Sequence, residues 1–195
     1  PMSAPLPVEV ESHQIDFIRE MAISLGFDDV GIASTEHGTP GKSALVDAIA
    51  AGNLQPLGYM LDTAGQRQDV QLVIPGAKSV IVVVKNYFHG DHADHVDTRL
   101  MTTCAKVSRY AWGGDYHNWM RRRLRKLRRS ILRVWPDANI RLFVDTGPLL
   151  ERSWAMHAGL GFVGKSTMFI HRRLGTWTFL GAVVTDLAFQ TDSPV

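Results

Sequence analysis

The spacing of apolar side chains along the chain separates predicted helices from predicted strands. Residues 12–25 carry apolar side chains at every third or fourth position and are followed by Gly26, which predicts an amphipathic helix that ends there. The same periodicity predicts three further helices: from Lys42 to Gly52, over residues 117–135 before Pro136, and over residues 148–159. The helix over residues 117–135 has the most regular apolar stripe and is the most clearly predicted of the four.

A nearly continuous β-branched run predicts the central strand. Residues 79–88, SVIVVVKNYF, are typical of a strand buried on both faces. Two more strands are predicted at residues 28–34 and 139–145, and residues 166–187 predict two strands that form a hairpin around a Leu-Gly turn. Because helices and strands alternate only in part, the predicted fold class is α/β of the α+β kind. We expect a mixed central sheet flanked by helices, rather than a fully parallel nucleotide-binding sheet.

Length and composition predict a single domain over residues 1–195. The apolar fraction of 45% and the charged fraction of 21% are ordinary for a globular protein with a buried core. No apolar run approaches the ~20 residues of a membrane helix and no secretory signal is present, so we expect a cytoplasmic protein without a membrane partner. Cys104 is the one cysteine, which excludes an iron–sulfur or other metal site built only from cysteines of this chain.

The predicted helix over residues 117–135 concentrates positive charge. It carries eight arginine and lysine side chains and no acidic side chain. One interpretation is the solvated face of an amphipathic helix. The other is a nucleic-acid contact, because no acid at four-residue spacing relieves the repulsion and a phosphate backbone would. The candidate contacts are Arg121, Arg122, Arg125, Lys126 and Arg129.

Residues 89–106 are polar and irregular, which predicts a long loop. Within it, His89, His92 and His95 stand three residues apart with aspartates between them, and histidine with carboxylate suits a divalent metal ion. The segment has no helical periodicity. A solvated loop is therefore the favoured interpretation and a metal site is the alternative.

The segment GLGFVGKS, residues 159–166, has the spacing of a phosphate-binding loop. Its context does not fit, because a helical pattern precedes it and an apolar stretch with aromatic residues follows it. We expect its glycines to let the backbone approach a bulky ligand, with Lys165 facing a polar or anionic group of that ligand.

Asp145 closes an apolar strand and precedes a turn and a helix. Open-sheet proteins often have catalytic or ligand-binding residues at such a strand end. An aspartate at this position can also cap the following helix. The local sequence leaves both interpretations open.

Four segments, taken together, resemble the epoxyqueuosine reductase family. Its members are cobalamin-dependent enzymes that catalyse the last step of queuosine synthesis in tRNA. In chain order they are RQDVQLVIPGAKSVIVVVKNYF, KVSRYAWGGDYHNWMRRRLRKL, LFVDTGPLLERSWAMHAGLGFVGKSTMFI and GTWTFLGAVVTDLAFQTDSPV. They cover nearly the whole chain, and several of these motifs are specific to the family.

The resemblance implies a cobalamin-binding domain whose fold is related to that of flavin nitroreductases and is shared with reductive dehalogenases. In the family, reduced cobalt is thought to attack the epoxide while an aspartate of a VD[ST] motif donates a proton to its oxygen. Asp145 occupies that motif. A carboxyl is ionised at neutral pH unless its surroundings prevent it, so Asp145 would have to be kept protonated by burial under the corrin.

The resemblance also implies a set of residues that line the cobalamin cleft: Arg67, Tyr110, Ala111, Trp112, Asp115, Tyr116, His117, Lys165, Ser166, Phe169 and Leu180. Core packing is the alternative explanation for the aromatic members. Cobalt is expected to have no histidine ligand from the protein, with His117 as the exception to check. The implied partner is tRNA, through the anticodon stem-loop that carries epoxyqueuosine.

This sequence departs from the family pattern at two positions. Trp112 stands where arginine is common, and Ser166 follows the lysine where asparagine is usual. In the family, a ferredoxin-like domain with two 4Fe–4S clusters follows the cobalamin-binding domain. Because the chain stops where its cysteine motifs would begin, we expect it to be either a truncated part of a longer protein or a protein that depends on a separate electron donor. Two other functions stay open: a cobalamin carrier without catalysis, and a flavin-dependent reductase of related fold.

Overall fold

The computed structural model describes residues 12–88, 90 and 107–194. Its helices are α1 (Ser12–Ser24), α2 (Lys42–Ala50), α3 (Gly58–Asp62), α4 (Ala64–Gln68), α5 (Tyr116–Val134) and α6 (Glu151–His157). Its strands are β1 (Asp29–Ser34), β2 (Ser79–Asn86), β3 (Ile140–Phe143), β4 (Gly161–Val163), β5 (Phe169–His171) and β6 (Thr178–Thr185). Two single-turn 3-10 helices lie at Val70–Leu72 and Arg109–Ala111.

Four strands form the central sheet in the order β1-β2-β6-β3. The register places Ile32 opposite Ile81, and Leu142 opposite Val183. The first six residues of β2 are buried. Because β2 lies between two other strands and has helices on both faces, its side chains are buried on both sides of the sheet, as its β-branched run predicts.

Helices cover both faces of this sheet, and alternate residues of β2 point into the two layers. On one face, α1 and α5 pack on Ile81 and Val83, and their buried side chains include Ile18, Leu124, Leu127 and Ile131. On the other face, α6 packs on Val80 and Val82 through the fully buried Trp154. Each fully buried side chain of this size contributes roughly 1.5–3 kcal/mol through the hydrophobic effect.

The predicted α+β class is confirmed, since helices flank a central sheet. One detail of the prediction differs. Every pairing in the described residues is antiparallel, so the sheet is not mixed. The periodicity of apolar residues reports which side chains are buried and carries no information about strand direction, which explains the difference.

The predicted hairpin over residues 166–187 is wrong. Strand β5 pairs with β4, whereas β6 pairs with β2 and β3. The Leu-Gly turn closes only an isolated bridge between His171 and Gly175. Strand β4 can lie against β5 because Gly161 has no Cβ, which would otherwise collide with the carbonyl oxygen of Ile170.

A buried histidine joins the β4–β5 hairpin to the central sheet. The Nδ1 atom of His171 accepts hydrogen bonds from the backbone N–H groups of Arg173 and Leu174, both at 3.2 Å. The proton therefore resides on Nε2, which donates to a carboxylate oxygen of Asp29 at 3.0 Å. This contact fixes the hairpin relative to β1 and so fixes one side of the site described next.

Candidate functional site

A cleft of about 670 Å³ opens at the end of the central sheet where β3 ends and β6 begins. Its walls come from α2 to α4, from the first residues of α5 and α6, from β6 and from the β4–β5 hairpin. The lining includes Leu45, Tyr59, Met60, Arg67, Tyr87, Tyr110, Tyr116, Asp145, Leu149, Glu151, Met168, Phe179 and Leu180. Apolar side chains predominate and a few polar groups converge, which is the composition of a site for a sizeable small molecule.

Stacked rings form one side of this cleft, and we call them the aromatic wall: Tyr87, Phe179 and Tyr116. The rings of Tyr116 and Phe179 are nearly parallel at 2°, with centroids 3.9 Å apart. Tyr87 stacks on Phe179 at 4.4 Å and 24°. Tyr110 meets Tyr116 edge-on at 6.5 Å. The wall presents polarisable apolar surface to whatever enters the cleft.

Asp145 lies at the edge of the cleft, two residues after β3. Its φ of 56° is in the left-handed region, which aspartate tolerates better than most residues because its short side chain can bond locally. This turn directs the carboxylate towards the start of α5 rather than along the strand. The side chain is 66% exposed, so solvent and a ligand can both reach it.

Three residues at the start of α5 organise the carboxylate of Asp145. The hydroxyl of Tyr116 donates to Oδ2 of Asp145 at 3.1 Å, and Nε2 of His117 lies 3.4 Å from the same oxygen. The other ring nitrogen of His117 is 2.8 Å from Asp115, whose carboxylate also accepts from the backbone N–H of His117 and so caps α5. Asp115, His117 and Asp145 thus form one polar chain from the helix cap to the cleft.

The charges in this chain are set by burial and by hydrogen bonds. The hydrogen bond from His117 lowers the pKa of Asp115, so Asp115 is a carboxylate at neutral pH. Burial, with the neighbouring charge of Asp145, raises the pKa of Tyr116. Tyr116 therefore stays protonated and can only donate to Asp145.

Glu151, the first residue of α6, is the most unusual polar group of the cleft. Within the described residues, its Oε1 atom is buried and has no hydrogen-bond partner. Burial raises the pKa of its carboxyl to about 7, and the charge of Asp145 acts in the same direction. The buried Arg67 lies near it, but the guanidinium donates to Oγ1 of Thr63 at 3.0 Å and to the carbonyl of Leu149 at 3.1 Å.

The predicted glycine loop is the tip of the β4–β5 hairpin. The backbone N–H of Thr167 donates to the carbonyl of Gly164 at 2.9 Å, which closes a tight turn over Lys165 and Ser166. The carbonyl of Thr167 accepts from Arg152 at 2.5 Å, which ties the tip to α6. Because strand β5 and not a helix follows the lysine, this segment is not a phosphate-binding loop of the kind whose spacing it shares.

The residues predicted for the cofactor fall into three groups. Those that line the cleft, together with Asp145, are Arg67, Tyr110, Tyr116 and Leu180. Those beside it are Asp115 and His117, through their bonds to one another and to Asp145. The others are the exposed Ala111, Trp112, Lys165 and Ser166, and the buried Phe169, which packs in the core. Their roles in binding a cofactor stay predictions.

The basic side chains of α5 form an exposed face that begins at the cleft. All five predicted tRNA contacts are exposed: Arg121, Arg122, Arg125, Lys126 and Arg129. Arg121 donates to Oγ1 of Thr146 at 3.0 Å, next to Asp145. Arg123, by contrast, stacks on Trp119 at 3.6 Å and donates to the carbonyl of Leu25, so it has a structural role. We call the five exposed residues the basic face.

The predicted histidine and aspartate loop of residues 89–106 lies outside the described residues, apart from Gly90. Cys104 lies outside them as well. In the part of the chain that the structure does describe, no three histidine, cysteine or acidic side chains come together in a way that could hold a metal ion. Nor is any helix of that part long and apolar enough to cross a membrane.

Glu151 is the functional candidate that sequence reasoning missed. An acidic residue at the start of a predicted helix is ordinary in sequence, because it interacts favourably with the helix dipole. The one signal in the sequence is its position six residues after Asp145. That spacing alone does not separate a surface acid from a buried one.

Residues 67–146 match the family model described as "Epoxyqueuosine reductase QueG, DUF1730". The epoxyqueuosine reductase of Synechococcus sp. (strain RCC307) is 34% identical over 190 residues, which are 96% of this chain and 57% of that protein. The epoxyqueuosine reductase of Synechocystis sp. (strain ATCC 27184 / PCC 6803 / Kazusa) is 41% identical over 144 residues, 71% of this chain and 47% of that protein. The chain spans about half the length of the curated relatives it matches.

Solved structures have the same fold. Epoxyqueuosine reductase from Streptococcus thermophilus superposes with a TM-score of 0.82 at 24% identity, over 95% of this chain and 49% of that one. An epoxyqueuosine reductase in complex with an epoxyqueuosine-modified tRNA-Tyr stem loop superposes with a TM-score of 0.72 at 25% identity, over 94% of this chain and 48% of that one. A reductive dehalogenase whose structure suggests a mechanism for B12-dependent dehalogenation superposes with a TM-score of 0.58 at 14% identity, over 100% of this chain and 22% of that one. By sequence and by fold, this chain belongs to the epoxyqueuosine reductase family.

Proposed function

We propose that this chain is the cobalamin-binding part of an epoxyqueuosine reductase, which removes the epoxide oxygen of epoxyqueuosine in tRNA. The observation that carries the proposal is the position of Asp145 at the edge of an aromatic-walled cleft, held there by Tyr116 and His117. The family assignment and the likeness to a B12-dependent dehalogenase support it.

The residues of the cleft fit cobalamin in their chemistry. The stacked rings of Tyr87, Phe179 and Tyr116, with a remaining lining that is largely apolar, offer apolar surface to a broad macrocycle. The unpartnered Oε1 of Glu151 is a buried polar atom that a ligand amide would satisfy. Arg67, Tyr110, Tyr116 and Leu180 are the predicted contacts that line the space. When bound, cobalamin would supply the electrons that reduce the epoxide.

Asp145 is the proton donor in this proposal. Opening an epoxide leaves an alkoxide, and loss of its oxygen as water takes two electrons and two protons in total. A carboxyl within hydrogen-bond reach of the oxygen stabilises the developing charge and typically accelerates such a step by ~10²–10⁴-fold. Asp145 is well exposed in the structure, so its protonated form depends on a cofactor and substrate that cover it and exclude water.

The neighbours of Asp145 can return a proton to it between steps. His117 lies between the carboxylates of Asp115 and Asp145, with its two ring nitrogens 2.8 Å and 3.4 Å from them. Asp115 is exposed, so this chain of groups links Asp145 to solvent without crossing the cleft. The hydroxyl of Tyr116 keeps the carboxylate oriented during the exchange.

The basic face is the proposed tRNA-binding surface. Its five cations lie on α5, which is 19 residues and about 28 Å long, and begin about one turn after His117. The phosphates of a stem-loop along this helix would offset the mutual repulsion of the cations. The complex of a related reductase with a modified stem loop supports the assignment of the substrate.

Electrons have to reach the cofactor from outside the groups described. The chain has one cysteine, so 4Fe–4S clusters of the kind expected in the family need cysteines from elsewhere. We propose a separate iron–sulfur domain or protein as the donor. A chemical reductant can replace it in a test.

The experiment is an anaerobic titration of the purified chain with cob(II)alamin, followed by absorbance and electron paramagnetic resonance. A low-potential chemical reductant and an epoxyqueuosine stem-loop are then added, and the loss of one oxygen is followed by mass spectrometry. Free cobalamin with reductant is the control. Cobalamin-dependent loss of oxygen above that control supports the reductase. Tight binding without turnover would favour a cobalamin carrier, and release of flavin on denaturation would favour a flavin reductase.

A further inference from the structure

The carboxyl of Glu151 lies in the same cleft and takes no part in the proton transfers described above. We propose that Glu151 binds the cofactor as a protonated carboxylic acid, donating its hydrogen to the carbonyl oxygen of a neutral amide on the cofactor's rim. This inference rests on the proposed function and adds a binding residue to it.

The first argument is the unsatisfied oxygen. Oε1 of Glu151 is buried with no hydrogen-bond partner among the described residues. A buried polar atom without a partner costs free energy, and most such atoms in proteins are satisfied. Because the residue lines the cleft, a ligand there is the available source of a partner.

The second argument is rigidity. Glu151 begins α6, whose next turn is anchored by Trp154 and Ala155, both fully buried. Its neighbour Arg152 is bonded to the hairpin tip at Thr167, and Leu149 is bonded to Arg67. These contacts fix the backbone on both sides of Glu151, so its side chain starts from a fixed position in the cleft wall.

The third argument is the charge of the surroundings, which is compatible with a neutral partner. The groups that face the carboxyl are Asp145 from the loop after β3, Arg67 from α4 and Arg152 from α6. Tyr116 and His117 act on it only through Asp145. The two arginines and Asp145 supply charges of both signs around the carboxyl, so a neutral amide that bonds to it needs no charge of its own.

The fourth argument is the protonation state. Burial raises the pKa of Glu151 to about 7, so a large share of the molecules carry the proton at neutral pH. Only the protonated form has a hydrogen to donate to a carbonyl oxygen. Cofactor affinity should then fall as pH rises past 7.

The test uses the chain as it is, with cob(II)alamin as the probe and affinity as the readout. In the wild-type protein, the dissociation constant should increase about fivefold between about pH 6 and about pH 8.5 as the donor is lost. E151Q keeps a donor at every pH, so its affinity should be nearly independent of pH and close to the wild-type value near pH 6. E151A should bind more weakly than wild type near pH 6.

The matched control is E20Q, which neutralises an exposed acid on α1, away from the cleft. It should keep the wild-type pH profile. Carbon-13 NMR of labelled glutamate in the unliganded chain provides an independent readout, because a carboxyl that titrates near pH 7 should be missing from E151Q.

Three results would overturn the inference. The first is a pH profile of E151Q that matches the wild type, and the second is a wild-type affinity that does not change with pH. In both of these cases cobalamin still binds, so the proposed function survives and only the role of Glu151 is lost. The third is a folded wild-type chain that binds no cobalamin at any pH, which would remove the proposed cofactor and this inference together.

Discussion

The hydroxyl of Tyr116 donates a hydrogen bond to Oδ2 of Asp145 at 3.1 Å, across the gap between the start of α5 and the end of β3. The ring of Tyr116 is itself held by stacking on Phe179, which belongs to β6. A side chain fixed by packing therefore orients the exposed carboxylate that we propose as the proton donor. The functional group and its support come from different elements, and the antiparallel β3–β6 pairing brings them together.

The Tyr116→Phe substitution removes the hydroxyl that bonds to Asp145 and keeps the ring that stacks on Phe179, so it tests the hydrogen bond alone. The ring should still pack on Phe179, so cobalamin affinity should change little. Reduction of the stem-loop should slow about tenfold, because an ordinary hydrogen bond that orients the donor is lost. Single-turnover assays with a chemical reductant measure this. Tyr59→Phe removes another hydroxyl from the cleft lining and is the control. Equal rates for Tyr116→Phe and the wild type would mean that the bond to Asp145 is dispensable.

Charge reversal on the basic face should weaken RNA binding and reduce its salt dependence. For R122E/R125E we expect at least about tenfold weaker binding of an anticodon stem-loop, with a shallower slope of affinity against salt concentration. Fluorescence anisotropy at several salt concentrations measures both quantities. R141E/R172E changes the net charge by the same amount, at two exposed positions outside α5, and should weaken RNA binding less. If the two double variants behave alike, the substrate surface lies elsewhere.

Glu151 should make the folded state less stable as pH rises. The pKa of its carboxyl is about 7 in the folded chain, above its ordinary value of 4.5. The folded state therefore binds more protons than the unfolded state between those values, and the free energy of unfolding falls with pH across this window. The loss attributable to Glu151 should be about 1–3 kcal/mol.

Urea unfolding of the wild type and E151Q between about pH 5 and about pH 8 measures this contribution. The wild type should lose stability relative to E151Q as pH rises, and the difference between them should level off above pH 7. E20Q, with its exposed acid, should follow the wild type. Parallel curves for the wild type and E151Q would contradict the raised pKa.

Gly31 is required by the close approach of α6 to β1. A Cβ at this position would collide with the carbonyl oxygen of Ala158, the residue that follows α6. Gly31→Ala should lower the free energy of unfolding by about 1–3 kcal/mol through overpacking. Gly58→Ala is the control, since a Cβ there meets no atom within 4 Å, and it should be neutral or slightly stabilising. Equal unfolding midpoints for the two variants would contradict this packing.

The elements with long and regular patterns could be predicted from sequence. The β-branched run of β2 and the apolar stripe of α5 are both observed within a residue or two of their predicted bounds. Asp145 could be singled out because it ends an apolar strand. Each of these signals is local, since it depends on side chains that are close in sequence.

The parts of the fold and of the site that the sequence could not predict depend on contacts between residues far apart in the chain. Strands β4 and β5 have only three residues each, too few for alternation to identify a partner. The pairing of β5 with β4 depends on Gly161, whose missing Cβ matters only once Ile170 lies beside it. In the same way, the raised pKa of Glu151 depends on burial in the folded chain and on the charge of Asp145, and no periodicity along the sequence reports either.

The rate of epoxide reduction by the Asp145→Asn variant tests the central claim most directly. Asparagine also tolerates a left-handed backbone, so the loop at φ 56° should persist while the transferable proton is lost. We predict unchanged binding of cob(II)alamin by electron paramagnetic resonance and a rate of oxygen loss from the stem-loop that is lower by about 10²-fold or more. A variant that binds cobalamin and reduces the stem-loop at nearly the wild-type rate would contradict the assignment of Asp145 as the proton donor.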